Sequence, residues 1–249
     1  MTNVLEATEL SWQVGGNRIV REVSLSVAEG EFLAVIGPNG AGKTSLFNLV
    51  SGIRRPSAGT LTLDGADISR ATPAQRARRG MARSFQLTSL FDGLEVRENV
   101  RLAARAHLGG SAHIWKRIRR GDQALARADE ALELVGLADR SRARAADLPH
   151  GDKRKLDLAI AIVGQPRILL LDEPTAGMGA DDLDPVIDLI SRIHRDGTTI
   201  IMVEHRMDLI LGLADRIAVM HHGALLACGE PDEVMSNPTV QSAYLGEPL

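Results

Sequence analysis

Residues 37–44 read Gly37-Pro38-Asn39-Gly40-Ala41-Gly42-Lys43-Thr44, the spacing G-x-x-x-x-G-K-[ST]. The glycines let a backbone turn tightly and aim its N–H groups at phosphate oxygens. Lys43 supplies a mobile positive charge for the terminal phosphates of a nucleotide, and Thr44 offers a hydroxyl to Mg²⁺. A helix beginning at Lys43 would add the positive end of its dipole to the same anion.

Two adjacent acids follow the apolar run Ile168-Leu169-Leu170-Leu171. Asp172 would hold the Mg²⁺ shell, through water. Glu173 would orient and polarise an attacking water. His205, beyond the next apolar run, would bridge the terminal phosphate and that water. Gln86, in Arg83-Ser84-Phe85-Gln86, carries a neutral amide able to touch both metal and water and then withdraw. Leu148-Pro149-His150-Gly151-Asp152 precedes a helix expected from about Lys153, and a glycine at a helix start is again an anion-binding shape. The other histidines have no metal-ligand spacing, so no zinc site is expected.

Such side chains need a scaffold that delivers them to one edge. Phe32–Ile36 is an apolar run before the glycine-rich loop and reads as a buried strand, and Lys43–Val50 reads as a helix stopped by Gly52. The N-terminal third is meander-like. Val23, Leu25 and Val27 alternate with small polar residues, Gly15-Gly16 marks a turn, and Leu61-Thr62-Leu63 runs into the turn dipeptide Asp64-Gly65. Between about Val96 and Gly136 the pattern is helical; Leu125, Ala128, Leu132 and Val135 share one face, and Gly109-Gly110-Ser111 is a loop. The second half alternates again. Helices are expected over Lys153–Val163, Asp182–Arg195 and Asp208–Asp215, strands over Ile168–Leu171 and Thr198–Val203, and two more strands flank Gly223. That order predicts an α/β fold: a P-loop NTPase (RecA-like) core with a mostly parallel sheet, an N-terminal antiparallel β subdomain and an inserted α-helical subdomain. The division expected is residues 1–86 and 156–249 for the core with its antiparallel portion, and about 87–155 for the helical part, in a single domain of 249 residues.

The chain is 44% hydrophobic and 24% charged with a net charge of −3, which is ordinary globular chemistry without the basic field that drives nucleic-acid binding. No run is long and apolar enough to span a bilayer, and the first residues lack a basic and apolar leader. The single cysteine, Cys228, lies in an apolar run and reads as a buried, inert thiol. A cytoplasmic location is expected, with membrane association only through a partner. Two basic stretches, Trp115–Arg120 and Arg140–Arg144, read as solvated surface.

The order of these motifs resembles ABC-type ATPase subunits along essentially the whole chain. Further details resemble the ATP-binding subunits of branched-chain (hydrophobic) amino-acid uptake systems: Val14-Gly15-Gly16, Ala82-Arg83-Ser84-Phe85-Gln86, Gly151-Asp152 in the signature, Val203-Glu204-His205-Arg206-Met207-Asp208 and the ending Ala243-Tyr244-Leu245-Gly246-Glu247. Urea and amide importers and lipid-export ATPases look similar. The resemblance implies ATP and Mg²⁺ as cofactors and two ATPase subunits, of the same or different chain, stacked head to tail. Each ATP would sit on Gly37–Ser45 of one subunit and face the signature, Leu148–Asp152, of the other. Membrane-spanning permease subunits would dock near Gln86, an extracytoplasmic binding protein would act indirectly, and the chain would lie on the inner face of the membrane. Three positions depart from the common pattern. Pro149 replaces the signature serine, Gly179 replaces an aspartate, and Val14 replaces the aromatic that stacks on adenine, for which Trp12 offers a substitute. The readings to weigh against a transport ATPase are a soluble ABC protein and a catalytically weak regulatory subunit.

Overall fold

The computed structural model describes residues 2–84, 90–109 and 122–245. The chain opens with β1 (Asn3–Val14) and β2 (Asn17–Ala28), joined at Gly15-Gly16, both in the left-handed region that a two-residue hairpin turn requires. Strand β3 (Phe32–Ile36) leads through the glycine-rich loop into α1 (Lys43–Val50). Next come β4 (Ala58–Leu63), β5 (Ala66–Asp67), α2 (Pro73–Arg78) and β6 (Met81–Arg83). Thr72 caps α2 reciprocally with Gln75, and Pro73 occupies the first turn, where no N–H is needed.

Helices α3 (Val96–His107) and α4 (Gln123–Leu134) follow, then two short 3₁₀ turns, Ala138–Arg140 and Ala145–Asp147, and α5 (His150–Ile162). The closing series is β7 (Ile168–Asp172), α6 (Ala180–Arg195), β8 (Thr199–Val203), α7 (Met207–Leu213), β9 (Arg216–His221), β10 (Ala224–Gly229), α8 (Pro231–Ser236) and α9 (Pro238–Leu245). Among the described residues, no helix is long and apolar enough to cross a membrane.

Two sheets form. β2-β1-β4-β5 is antiparallel, and β10-β9-β3-β8-β7-β6 is parallel apart from the β10 edge. The central strands are buried on both faces, as a parallel sheet demands. Their side chains alternate. Leu33, Val35, Leu170 and Ile201 face the core shared with α1 and the antiparallel sheet; Phe32, Leu169, Leu171, Ile200 and Met202 face α3, α4, α5 and α6. Each such side chain contributes about 1.5–3 kcal/mol by leaving water, which fixes the register because a one-residue slip would exchange the two faces.

The expected antiparallel portion and parallel sheet are both present. Helix α4 packs through Ala124, Ala128, Ala131, Leu132 and Val135, with Leu125 only half buried. Two expectations need correction. Helix α5 starts at His150, not near Lys153, because Pro149 takes the N-cap and Lys153 N donates to Pro149 O at 2.9 Å. Cys228 is only half-buried, not buried, because β10 is an edge strand; Arg140 is exposed as expected and pairs with Asp152 at 3.1 Å.

Candidate functional site

Strand register builds the site. Val35 lies beside Val203, and Asp172 beside Val203 on the other side, so β3, β8 and β7 end together at one carboxyl edge. At roughly 4.8 Å between strands, the residues that follow each strand become neighbours. They are Gly37 after β3, Glu173 after β7, and Glu204 and His205 after β8.

The loop 37–42 is shaped by close backbone approach. Gly37 has φ +146°, and a Cβ there would sit 2.1 Å from Met220 O. Gly40 and Gly42 are also left-handed, at φ +81° and +99°. The turn after β9 buttresses the loop, with Gly223 N donating to Ala41 O at 2.9 Å. Pro38, Asn39 and Ala41 complete the loop, and Ser45 lies in the first turn of α1. Thr44 is exposed at the start of α1. Lys43 is buried, and its Nζ donates to Gly37 O at 2.7 Å and Pro38 O at 3.0 Å. Burial pulls its pKa down, and the nearby charges of Glu173 and Asp172 oppose that. The two carbonyls hold the ammonium inside the loop.

Asp172 is 2% exposed. Its Oδ2 accepts from an Arg83 guanidinium nitrogen at 2.7 Å, and Arg83 also donates to Asn48 Oδ1 and Ser51 Oγ, both at 2.8 Å. Arg83 thus ties β6 to α1 and to the acid, a role absent from the sequence reading. Glu173 sits at φ +47°, and a non-glycine residue in that region costs on the order of 1–2 kcal/mol. Its Oε1 lies 3.2 Å from His205 Nε2. Buried Glu204 joins the two loops: one carboxylate oxygen accepts from Thr175 Oγ1, the other from His205 N at 2.8 Å. Buried Arg154 donates to Glu173 O at 2.6 Å and to Pro174 O at 2.8 Å.

Other expected residues fall as follows. Leu148 is buried, Pro149 and His150 are exposed at the tip of α5, and Gly151 and Asp152 lie in its first turn. The ring of Trp12 packs partly into the core beneath the antiparallel sheet, with the Arg54 guanidinium 5.8 Å above it, while Val14 is 52% exposed. Gly179 is the N-cap of α6. Gln86, Phe85, Gly110-Ser111, Trp115–Arg120 and Gly246-Glu247 lie outside the described residues. Burial pushes the Cys228 thiol up, against the nearby Arg216 charge, in keeping with an inert role.

Glycine-rich loop, buried acid, strained glutamate and facing histidine share one edge, and a family model described as ABC transporter matches residues 20–176. The chain belongs to the ABC transporter family. A second model, described as branched-chain amino acid ATP-binding cassette transporter, matches residues 224–248 of the cassette. Among its relatives is the high-affinity branched-chain amino acid transport ATP-binding protein LivG of Salmonella typhimurium, 39% identical over 98% of both chains. BraF of Pseudomonas aeruginosa, with the same description, is 37% identical over 98% of both. The cassette also resembles MJ1267, an ATP-binding cassette of an ABC transporter crystallised in its ADP conformation. There the TM-score is 0.87 at 26% identity, over 99% of this chain and 100% of that one. The cassette is therefore an ATP-binding ATPase of the transporter class.

Proposed function

We propose that the cassette drives uptake of branched-chain amino acids, hydrolysing ATP at the edge formed by β3, β7 and β8. The match of residues 224–248 to the branched-chain family model is the observation that carries the substrate class. Urea or amide import and lipid export are the nearest alternatives. The paired carboxylate and imidazole of Glu173 and His205 support an active hydrolase over a weak regulatory subunit.

In this reading Gly37–Ser45 wraps the phosphates and Lys43 neutralises the terminal ones. Thr44, Asp172 and Gln86 would hold Mg²⁺, and Thr44 on α1 and buried Asp172 on β7 supply the oxygen donors that a hard cation takes. The metal supplies positive charge to the phosphate oxygens that carry negative charge in the transition state. Glu173 orients and polarises water, and His205 holds both the terminal phosphate and that water. Trp12 or Val14 contacts adenine.

Leu148, Pro149, His150, Gly151 and Asp152 face ATP bound to a second ATPase subunit. Pro149 lacks both a hydroxyl and an N–H for that phosphate, and Gly179 lacks a carboxylate, so the two sites are unequal and the partner is a different chain. A groove of about 280 Å³ between α2, β6, α3 and α5, lined by Ile53, Ala77, Met81, Ala103 and Ile160, receives a permease segment. An extracytoplasmic binding protein acts only through the permease. The cassette then lies on the cytoplasmic face of the membrane, with no nucleic acid involved. Residues 1–86 and 156–249 act as the core and about 87–155 as the helical arm that carries the signature.

The test is the variant Glu173→Gln. Phosphate release should fall about 100-fold or more while ATP affinity persists. Light scattering with ATP and Mg²⁺ should leave the purified variant monomeric until its partner chain is added. Retained turnover would remove Glu173 from the chemistry, and an ATP-dependent homodimer would remove the unequal-subunit reading.

A further inference from the structure

Glu173 carries its carboxylate on a backbone that the chain itself disfavours. It is left-handed at φ +47°, and it precedes Pro174, whose ring restricts the residue before it toward extended conformations. Something must hold the peptide after Glu173 in place. Proline supplies no N–H for the purpose. Ala176 N donates to Glu173 O at 3.1 Å, and Glu173 N donates to Val203 O at 2.9 Å.

The remaining hold comes from another element. Arg154 lies on α5, two residues after the signature segment 148–152, and is 4% exposed. Its planar fork takes both carbonyls of the turn, Glu173 O at 2.6 Å and Pro174 O at 2.8 Å. A guanidinium is suited to this because its donors are fixed in direction, and bonds from a charged donor are the stronger kind. Packed helices move as rigid bodies, so a displacement at the start of α5 is delivered by this fork to the peptide that aims Glu173.

We propose that Arg154 is a positioning residue for hydrolysis. From the signature helix it locks the Glu173–Pro174 turn in its left-handed form and so aims the carboxylate at His205, linking the helix that meets the second subunit's ATP to this chain's own reacting carboxylate. The proposal rests on the hydrolytic role given to Glu173 above.

The test uses the full-length chain with its ATPase partner and compares Arg154→Met, Arg154→Lys, Glu173→Gln and the double variant Arg154→Met/Glu173→Gln. Arg154→Met should lower kcat by about 10- to 100-fold, the scale of a misplaced reacting group, with the Kd for a fluorescent ATP analogue changed less than about twofold. Arg154→Lys should recover part of kcat, because an ammonium reaches one carbonyl but not both. The double variant should turn over no more slowly than Glu173→Gln alone, because the group that Arg154 aims is already gone. Two outcomes overturn the proposal: an unchanged kcat, or a kcat loss that persists in full on the Glu173→Gln background or comes with an equal loss of ATP binding and of Tm. If Glu173→Gln alone keeps wild-type turnover, the hydrolytic reading fails first, and the Arg154 variants then report on folding only.

Discussion

Glu204 lies between the two residues of the proposed chemistry and touches neither reacting atom. Its buried carboxylate is spent on Thr175 Oγ1 and on His205 N, so it clamps the loop after β7 to the loop after β8. A buried acid with both oxygens engaged is stable only while those donors stay in place. Glu204→Ala strips a partner from a buried hydroxyl and from a backbone N–H, at a cost of about 1–3 kcal/mol. Urea unfolding should show that loss, and kcat should fall because the His205 loop is no longer tethered. Unchanged stability would mean that water takes over both bonds. Within the acidic strand end, the sequence singles out Asp172 and Glu173 from their type and position, whereas Glu204 reads as one more polar residue after a strand. Its importance comes from Thr175, 29 residues away, which no local pattern connects to it.

Helix α1 follows the glycine-rich loop, and the carbonyls at its far end are met by a buried arginine of α2. Arg76, on α2 and 1% exposed, donates to Leu49 O at 2.6 Å, Val50 O, Ile68 O at 2.8 Å and Ala71 O at 3.1 Å. Burial pushes its pKa down to about 10, which still leaves it charged at neutral pH. A cation at a helix C-terminus also opposes the negative end of the dipole. Arg76→Met fills similar space but removes the side-chain donor from these carbonyls, of which Leu49 O and Ile68 O keep a backbone donor, and should cost about 1–3 kcal/mol by denaturant unfolding. A loss under about 1 kcal/mol would mean that the carbonyls find other donors. The start of α1 was legible because a glycine-rich loop and a lysine announce it. The cap at its end was not, because it is supplied by α2, 26 residues on from Val50.

At the scale of the molecule, α3 and α5 meet where the His107 ring packs against Gly164 so closely that a Cβ there would lie 2.6 Å from ring atoms. Burial pulls the His107 pKa down, and the Arg127 charge adds to the effect. The unfolded chain therefore holds more protons than the folded one once pH drops toward the ordinary histidine value, so stability falls with falling pH. Unfolding free energy should decrease between about pH 7 and about pH 5.5, and His107→Gln should flatten the change. An identical slope in the variant would move the effect to other groups; His221, also pulled down by burial, is the next to test. The sequence by itself determined the glycine-rich loop between β3 and α1, the acids at the end of β7 and the order of strands and helices, since these rest on local spacing and on periods of 2 and 3.6 residues. Tertiary structure alone decided which groups hold the acids: Arg83 on Asp172, 89 residues apart, and Arg154 on the carbonyls of Glu173 and Pro174. It also placed the helix start at His150 rather than Lys153, and it aligned the ends of β3, β7 and β8 at one edge. The physical reason is that burial and strand register act between segments far apart in the chain, and a charge in sequence does not carry the identity of the charge it will meet.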